Sequence, residues 1–183
     1  MRDRIADARN FAILAHTGQF RKYDGTPYVT HCERVAGMVS QVVGRSEDMI
    51  CAAWLHDTVE DTDTTVDDIY NAFGSDVAWY VWYLTDIDKI DPAYSVLNRA
   101  KRKSAQRKRL SKAPWQVQSI KCCDLIDNTS DITANDRNFA KVYLVEKTDL
   151  LTGLTKADFD TYSRAVDALR EALLDLHMGH PGE

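Results

Sequence analysis

Residues 54–62, WLHDTVEDT, place one imidazole and three carboxylates among apolar neighbours. The run predicts a helix, on which side chains four positions apart lie one above the other. His56 then stacks with Glu60, and Asp57 stacks with Asp61. An adjacent His-Asp pair can bind one metal ion, and carboxylates one turn later can reach a water bound to that ion. The stretch therefore predicts a helical protein with a hydrolytic metal site.

Two further inward-facing residues can complete this metal site. His31 begins a predicted helix and shares its face with apolar residues at helical spacing, and Asp124 lies on the apolar stripe of a helix that Pro114 begins. His16 also faces the core, but it has no carboxylate at useful spacing and is not assigned as a ligand. Two neutral imidazoles and two carboxylates balance a divalent cation and leave positions open for water and substrate oxygen. We therefore predict that one divalent ion is bound by His31, His56, Asp57 and Asp124.

The composition is that of an ordinary helical domain. The chain has 183 residues, of which 44% are hydrophobic and 28% charged, which gives room for one domain with a substantial core. We predict an all-α bundle of about eight or nine helices that forms a single domain over residues 1–183. Its motif-bearing core spans about residues 10–132, and C-terminal scaffold helices span about residues 136–177.

The sequence predicts a cytoplasmic protein. No apolar run approaches the roughly 18 residues that a membrane span needs, and the first residues lead into an amphipathic helix instead of a signal peptide. The four cysteines lack metal-type spacing, and two of them are adjacent, so we expect buried thiols in a reducing compartment. The cysteines are Cys32, Cys51, Cys122 and Cys123.

Positive charge is concentrated in one segment. Residues 99–112 contain eight basic residues and no acidic one, which leaves 15 of the 23 basic residues for the part of the chain that holds all 28 acidic residues. Three interpretations stay open: a solvated helix face, a rim that steers a highly charged nucleotide, or a nucleic-acid surface. The acidic balance elsewhere and the lack of interleaved aromatic residues make nucleic acid the weakest of the three.

An aromatic helix precedes that basic segment. Trp79, Tyr80, Trp82 and Tyr83 place rings all around its axis. Some of these rings can pack in the core, and others can line a subunit contact. A homo-oligomer is therefore a possible assembly.

A longer set of motifs surrounds the four predicted ligands. The sequence resembles HD-domain metal phosphohydrolases, and in particular the hydrolase domain of RelA/SpoT enzymes and their stand-alone relatives, the small alarmone hydrolases such as the metazoan SpoT homologue. The resemblance covers roughly residues 10–132 in the right order and spacing. It rests on residues 15–19 (AHTGQ), Arg21-Lys22, residues 25–28 (GTPY), His31, Val35-Ala36, residues 52–62, Asp68-Ile69, Phe73-Gly74, Lys121, Asp124 and Asn128.

The resemblance implies a reaction and a set of roles. Similar enzymes use Mn²⁺ to remove the 3′-pyrophosphate from guanosine tetra- and pentaphosphate (ppGpp and pppGpp), giving GDP or GTP. It implies that Glu60 and Asp61 orient and deprotonate the attacking water. It also implies that Arg21, Lys22 and Asn128 contact the nucleotide. We expect no synthetase domain within these 183 residues.

The sequence departs from the family pattern beside the last ligand. Where family members usually have a basic residue after the metal-binding Asp and later His-Asn-Met-Arg, this chain has Leu125 and then Asp127-Asn128-Thr129-Ser130, and Cys32 replaces the usual Pro after the first ligand. Two alternatives therefore stay open. The domain could hydrolyse another nucleotide, such as a dNTP, an adenosine alarmone or NADPH, or it could be a catalytically idle nucleotide sensor.

Overall fold

The fold is entirely helical over the part of the chain that the computed structural model describes, residues 3–130 and 132–178. The helices are α1 (Arg4–Ala15), α2 (Val29–Val39), α3 (Glu47–Leu55), α4 (Thr58–Asp61), α5 (Val66–Phe73), α6 (Ser75–Leu84), α7 (Ile87–Ile90), α8 (Pro92–Ser95), α9 (Arg99–Leu110), α10 (Trp115–Thr129), α11 (Ile132–Asn135), α12 (Arg137–Leu151) and α13 (Phe159–Met178). Within those residues, the thirteen helices comprise nine of eight or more residues and four single turns. The predicted all-α class with eight or nine helices is confirmed for the longer elements.

Local sequence signals fix several helix boundaries. The Ser46 hydroxyl accepts a hydrogen bond from the Met49 amide and caps α3. Thr65 and Asp68 form a reciprocal capping box at the start of α5. Gly74 separates α5 from α6 with φ 90°, a conformation that favours glycine. These caps stabilise the helices that surround the site.

Helices α3 and α10 form the centre of the core. Helix α3 packs against α1, α2 and α6, while α10 packs against α2, α6 and α13. Met49 and Leu55 of α3 and Ile120 and Leu125 of α10 are among the largest fully buried side chains. Burial of such aliphatic side chains stabilises the fold by about 1.5–3 kcal/mol each. The polar site described below therefore lies in a rigid apolar setting.

The stretch at residues 54–62 is not one continuous helix, as the sequence had suggested. Helix α3 ends at Leu55 and α4 begins at Thr58, so His56 and Asp57 form the junction between them. The His56 ring takes the Ala53 carbonyl as a partner, and the Thr58 hydroxyl donates to the Leu55 carbonyl. Side chains thus compete for the carbonyl oxygens that a continuous helix would use. The junction turns two adjacent residues toward the same centre.

Most cations of α9 have partners within the fold. Its basic side chains pair with acidic residues from other elements in the pairs Arg99–Glu146, Arg102–Asp88, Lys103–Asp86 and Arg107–Asp149. Arg109 donates to the backbone carbonyls of residues 82, 83 and 85 and lies over the Trp82 ring. Lys101, Lys108 and Lys112 are exposed. The segment therefore contributes largely to the structure through these pairs, and the three lysines are its exposed cations without a carboxylate partner in the described part of the chain.

Two smaller predictions can be compared with the structure. All four cysteines are free and buried, as expected for thiols of the core. Among the aromatic residues of α6, Tyr80 is buried, whereas Trp79 is 48% exposed. Core packing therefore explains only some of the aromatic side chains of α6. In the described part of the chain, none of the helices has the length and apolar character needed to span a membrane.

Candidate metal centre

Four side chains from three parts of the fold meet at one point. His31 comes from α2, His56 and Asp57 come from the α3–α4 junction, and Asp124 comes from α10. The two Nε2 atoms of His31 and His56 are 3.1 Å apart. Oδ1 of Asp124 lies 3.2 Å from His31 Nε2, and Oδ2 of Asp57 lies 3.2 Å from His56 Nε2. The structure therefore brings together all four residues that the sequence predicted as ligands.

The donor atoms have the spacing and chemistry that suit a divalent cation. The two imidazole Nε2 atoms lie 3.1 to 3.7 Å from each other and from the nearest oxygens of Asp57 and Asp124. The donor atoms of His31, His56 and Asp124 all lie within 4.8 Å of one another. Donors that bind one ion at about 2.0–2.2 Å lie roughly 3 Å from one another, so these residues fit a bound ion. His31 and His56 both use Nδ1 for other contacts, with Asp127 and with the Ala53 carbonyl. Each imidazole therefore turns its Nε2 to the centre, as metal-binding imidazoles do.

Electrostatics at this centre favour added positive charge. Burial disfavours protonation of His31, but hydrogen bonds to Asp124, Asp127 and Asp57 outweigh it and raise the pKa of His31 to about 11. Burial also opposes protonation of His56, and the charge of Asp57 outweighs it and raises the pKa of His56 to about 9. Without a cation, protons therefore balance the carboxylates of this site.

The carboxylates themselves are held ionised. Burial disfavours their charge, but His56 lowers the pKa of Asp57 and Lys121 lowers the pKa of Asp124, so that both values lie well below the usual range. The two carboxylates are therefore anionic at neutral pH, and the two imidazoles become donors once a bound cation displaces their protons. This is a mixed nitrogen and oxygen set that suits a first-row divalent ion.

Asp127 was not predicted as a site residue, yet it directly contacts His31. Its Oδ2 lies 2.6 Å from His31 Nδ1, and its two oxygens accept hydrogen bonds from Arg34 at 2.5 and 3.0 Å. Carboxylates of this kind orient a metal-binding imidazole and fix its tautomer. The available sequence signal was its position three residues after Asp124, on the same side of α10.

Three further groups hold the ligand carboxylates in place. The Tyr28 hydroxyl donates to Asp57 Oδ2 at 2.7 Å. The Lys121 ammonium lies 2.6 Å from Asp124 Oδ2. Asn128, predicted as a substrate contact, donates from Nδ2 to Asp124 Oδ1 at 2.6 Å. Asn128 is therefore positioned to orient the predicted ligand Asp124, and its predicted contact with the substrate stays a prediction.

The predicted catalytic pair lies on the single turn α4. Glu60 Oε2 accepts a hydrogen bond from the Asp86 amide at 2.8 Å. Burial, followed by the charges of Asp86 and Asp57, raises the pKa of Glu60 to about 7, which is close to the value that suits a general base at neutral pH. Burial and Asp57 also raise the pKa of Asp61. Asp61 is exposed as a whole residue although its carboxyl group is partly desolvated, and its backbone carbonyl accepts a hydrogen bond from Gln19.

The two predicted phosphate-binding cations have different surroundings. Arg21 has only 12% of its side chain exposed, and Nη1 lies 3.5 Å from Asp127 Oδ2 and 3.4 Å from Asn128 Oδ1. Lys22 is 71% exposed and pairs with Asp136 at 3.3 Å. The structure thus brings Arg21 into the network around His31 and leaves Lys22 at the surface.

His16, which the sequence did not assign to the site, supports it from α1. The ring is buried, stacks on Tyr28 with a centroid separation of 4.9 Å, and contacts Gln19 Oε1 through Nδ1 at 2.8 Å. Tyr28 and Gln19 in turn hydrogen-bond to Asp57 and Asp61. The sequence search looked for a carboxylate at helical spacing from His16. It could not indicate this role, because His16 reaches Asp57 and Asp61 only through the neutral side chains of Tyr28 and Gln19.

A cavity of about 200 Å³ lies between α9, α10 and α12, beside the metal centre. Two of its wall residues also contact the site, since Lys121 pairs with Asp124 and the Asp86 amide donates to Glu60. The charged residues that line it are Asp86, Lys103, Arg107, Lys121, Glu146, Lys147 and Asp149.

Fold and site define the class of this protein. The family described as HD domain matches residues 8–154, and the chain belongs to that family. Individual proteins similar to this chain indicate a more specific group within the family. The chain is 34% identical over 134 residues to guanosine-3′,5′-bis(diphosphate) 3′-pyrophosphohydrolase MESH1 of Drosophila melanogaster, covering 72% of this chain and 71% of that protein. The Homo sapiens protein of the same name is 35% identical over 130 residues, which are 70% of this chain and 69% of the relative.

A solved structure gives the same comparison in three dimensions. The fold is similar to that of a metazoan orthologue of SpoT that hydrolyses ppGpp, with a TM-score of 0.82 and 27% sequence identity. The similarity covers 93% of this chain and 96% of the other.

Proposed function

We propose that this protein is a metal-dependent phosphohydrolase that removes the 3′-pyrophosphate from ppGpp and pppGpp, yielding GDP or GTP and pyrophosphate. The observation that supports it most directly is the convergence of Asp57 and Asp124 on the Nε2 atoms of His31 and His56, at distances of 3.2 to 3.7 Å. The guanosine specificity comes from the similar enzymes, whose names state that reaction.

The proposed mechanism assigns a role to each group. The two imidazoles and two carboxylates would hold a divalent ion, which would supply Lewis acidity toward the phosphoryl group and toward water. Glu60 accepts the proton of the attacking water, and Asp61 orients that water from the same turn. Arg21 lies close enough to the centre to meet the negative charge that develops on the phosphoryl group. Lys22 and Asn128 complete the proposed contacts to the nucleotide.

The proposal includes Mn²⁺ as the native ion and the cytoplasm as the compartment. Nitrogen and oxygen donors also suit iron, cobalt and nickel, so Mn²⁺ comes from the family resemblance. Four free, buried thiols are compatible with a reducing compartment. We further propose that α12 and α13 are the scaffold of a single domain, because α13 packs on both α10 and α12.

A second candidate is hydrolysis of another nucleotide, such as a dNTP, an adenosine alarmone or NADPH. It is favoured by Leu125 and Asp127 at positions where the family usually has basic residues. A catalytically idle sensor is the third, and the Glu60-Asp61 pair with its raised pKa values argues against it.

One assay distinguishes these functions. The Mn²⁺-loaded protein is incubated with ppGpp, the four dNTPs, an adenosine alarmone and NADPH, and the released group is identified by chromatography. Release of pyrophosphate from ppGpp supports the proposal. Release of phosphate or triphosphate from another compound assigns the second function, and tight nucleotide binding without turnover assigns the sensor. An Asp57→Ala variant, which removes a proposed ligand, serves as the negative control.

A further inference from the structure

Lys147 differs from the other cations of the cavity beside the metal centre. Lys103 pairs with Asp86 at 2.6 Å, Arg107 with Asp149 at 3.4 Å, and Lys121 with Asp124 at 2.6 Å. Among the described residues, no hydrogen bond or ion pair reaches the Lys147 ammonium, which lies 5.1 Å from the centroid of the Tyr143 ring. In the part of the chain that the structure describes, the cavity therefore contains one cation that has no carboxylate in direct contact.

The position of Lys147 is unfavourable for an ammonium that serves only the fold. Burial and the nearby charge of Lys121 lower the pKa of Lys147 to about 8. A poorly solvated cation without a counter-ion destabilises a folded protein, and such groups commonly mark a ligand site. The carboxylates around it are paired with other cations: Glu146 with Arg99, Asp86 with Lys103, Asp149 with Arg107 and Asp124 with Lys121. The charges of Asp124 and Asp86 favour the ammonium, but burial and Lys121 outweigh them.

The cavity has a suitable size and place for part of the substrate. Its volume of about 200 Å³ equals that of roughly six or seven water molecules at about 30 Å³ each, which is enough for a diphosphate. Lys121 and Asp86 line it and also contact Asp124 and Glu60. A nucleotide whose 3′-diphosphate lies at the metal centre can therefore place a second anionic group in this cavity.

We propose that this cavity binds the 5′-diphosphate of the nucleotide and that Lys147 is the ammonium that recognises it. The inference rests on the proposed function, because a substrate with diphosphates at both positions requires two anion sites. It also accounts for the missing basic residues after Asp124. Leu125 and Asp127 carry no positive charge, and Lys147 of α12 supplies a positive charge from another direction. Selection between 5′-diphosphate and 5′-monophosphate nucleotides is the expected consequence.

The test compares nucleotides that differ by one phosphate. The metal-loaded wild-type protein, Lys147→Met and Lys147→Gln are assayed with ppGpp and with the analogue that has a 5′-monophosphate and a 3′-diphosphate. Binding of GDP and GMP to the same proteins is measured by calorimetry, so that this comparison does not depend on turnover. Lys141→Met, which removes an exposed lysine of the same helix, is the matched control.

We expect Lys147→Met to raise KM for ppGpp about 10-fold to 100-fold and to change KM for the 5′-monophosphate analogue about 2-fold or less, with kcat nearly unchanged. The preference of the wild-type protein for GDP over GMP should disappear in both Lys147 variants and persist in Lys141→Met. The inference is overturned if the wild-type protein hydrolyses ppGpp and the Lys147 variants keep its KM and its preference for GDP.

The same measurements separate the inference from the proposed function. If ppGpp is not hydrolysed by the wild-type protein, the proposed reaction fails. A preference for GDP that depends on Lys147 would then still support the cavity as a diphosphate site, and equal binding of GDP and GMP by all proteins would exclude it.

Discussion

The Nδ1 atom of His31 lies 2.6 Å from Oδ2 of Asp127, a residue that is itself held by Arg34. This contact fixes the imidazole so that its Nε2 points at the Nε2 of His56. The carboxylate thus sets the orientation of a proposed ligand without facing the metal centre itself. Its contribution can be measured separately from that of the ligands.

Replacing Asp127 with Ala should weaken metal binding by about 10-fold to 100-fold, because His31 loses the partner that fixes its tautomer and orientation. Calorimetric titration of the metal-free protein with Mn²⁺ measures the change. Asp160→Asn, at an exposed position of α13, should keep wild-type affinity. Unchanged affinity in Asp127→Ala would show that the contact does not position His31.

Metal binding should release about two protons per ion near pH 7.5. The pKa of His31 is raised to about 11 and that of His56 to about 9, so both imidazoles are protonated in the metal-free protein at this pH and must lose a proton to bind the ion. Affinity should therefore rise with pH, by about 100-fold per unit around pH 7.5. Calorimetry in buffers of different ionisation enthalpy counts the protons, and a count near zero would contradict the charge balance described here.

Glu60→Gln should retain the metal and lose about 10²-fold to 10⁴-fold in kcat, as expected when a general base is removed. Metal content by mass spectrometry and turnover of ppGpp provide the two measurements. Wild-type activity in this variant would remove Glu60 from the mechanism.

The same residue gives a prediction for pH dependence. Burial and the charges of Asp86 and Asp57 raise the pKa of Glu60 to about 7, and the carboxylate must be ionised to accept a proton. The value of kcat/KM should therefore fall about tenfold per unit as pH decreases below this pKa, with the break at or below pH 7 because a bound cation favours ionisation. In Glu60→Gln the residual activity should lack this break.

Arg109→Met should destabilise the fold by about 2–4 kcal/mol. The guanidinium donates to the carbonyls of residues 82, 83 and 85, and its removal leaves these oxygens without that donor. Urea denaturation measures the loss, and Lys108→Met, at an exposed position of the same helix, should change the free energy of unfolding by no more than about 0.5 kcal/mol. Equal stability of the two variants would exclude a structural role for Arg109.

Helical periodicity and ligand chemistry were sufficient to predict the fold class and the four converging residues. His31 and Asp124 could be selected because each lies on an apolar stripe, where an unpaired polar group is costly. The break in the helix at His56 and Asp57 could not be predicted in this way, because it depends on side chains that bond to carbonyl oxygens of the preceding turn. Hydrophobic periodicity indicates which face of a helix is buried. It does not indicate where side chains compete with backbone amides for carbonyl oxygens.

The supporting residues were harder to predict for a different reason. Asp127, Tyr28 and His16 reach the site through contacts between elements that are far apart in sequence, and no spacing rule connects them. The basic segment shows the converse limit. Eight like charges suggested an open surface, but four of them pair with carboxylates from α12 and from the residues around α7, which a local count of charge does not include.

The proposed ligands lie at residues 31, 56, 57 and 124, so one bound ion cross-links three distant parts of the chain. An ion that binds only the native state lowers the equilibrium population of open molecules and so protects the protein from proteases, more strongly as the free ion concentration rises. Cells short of this metal would then lose the protein as well as its activity. The amount of the protein in the cell would then depend on the metal supply, because the bound metal would determine how long the protein survives.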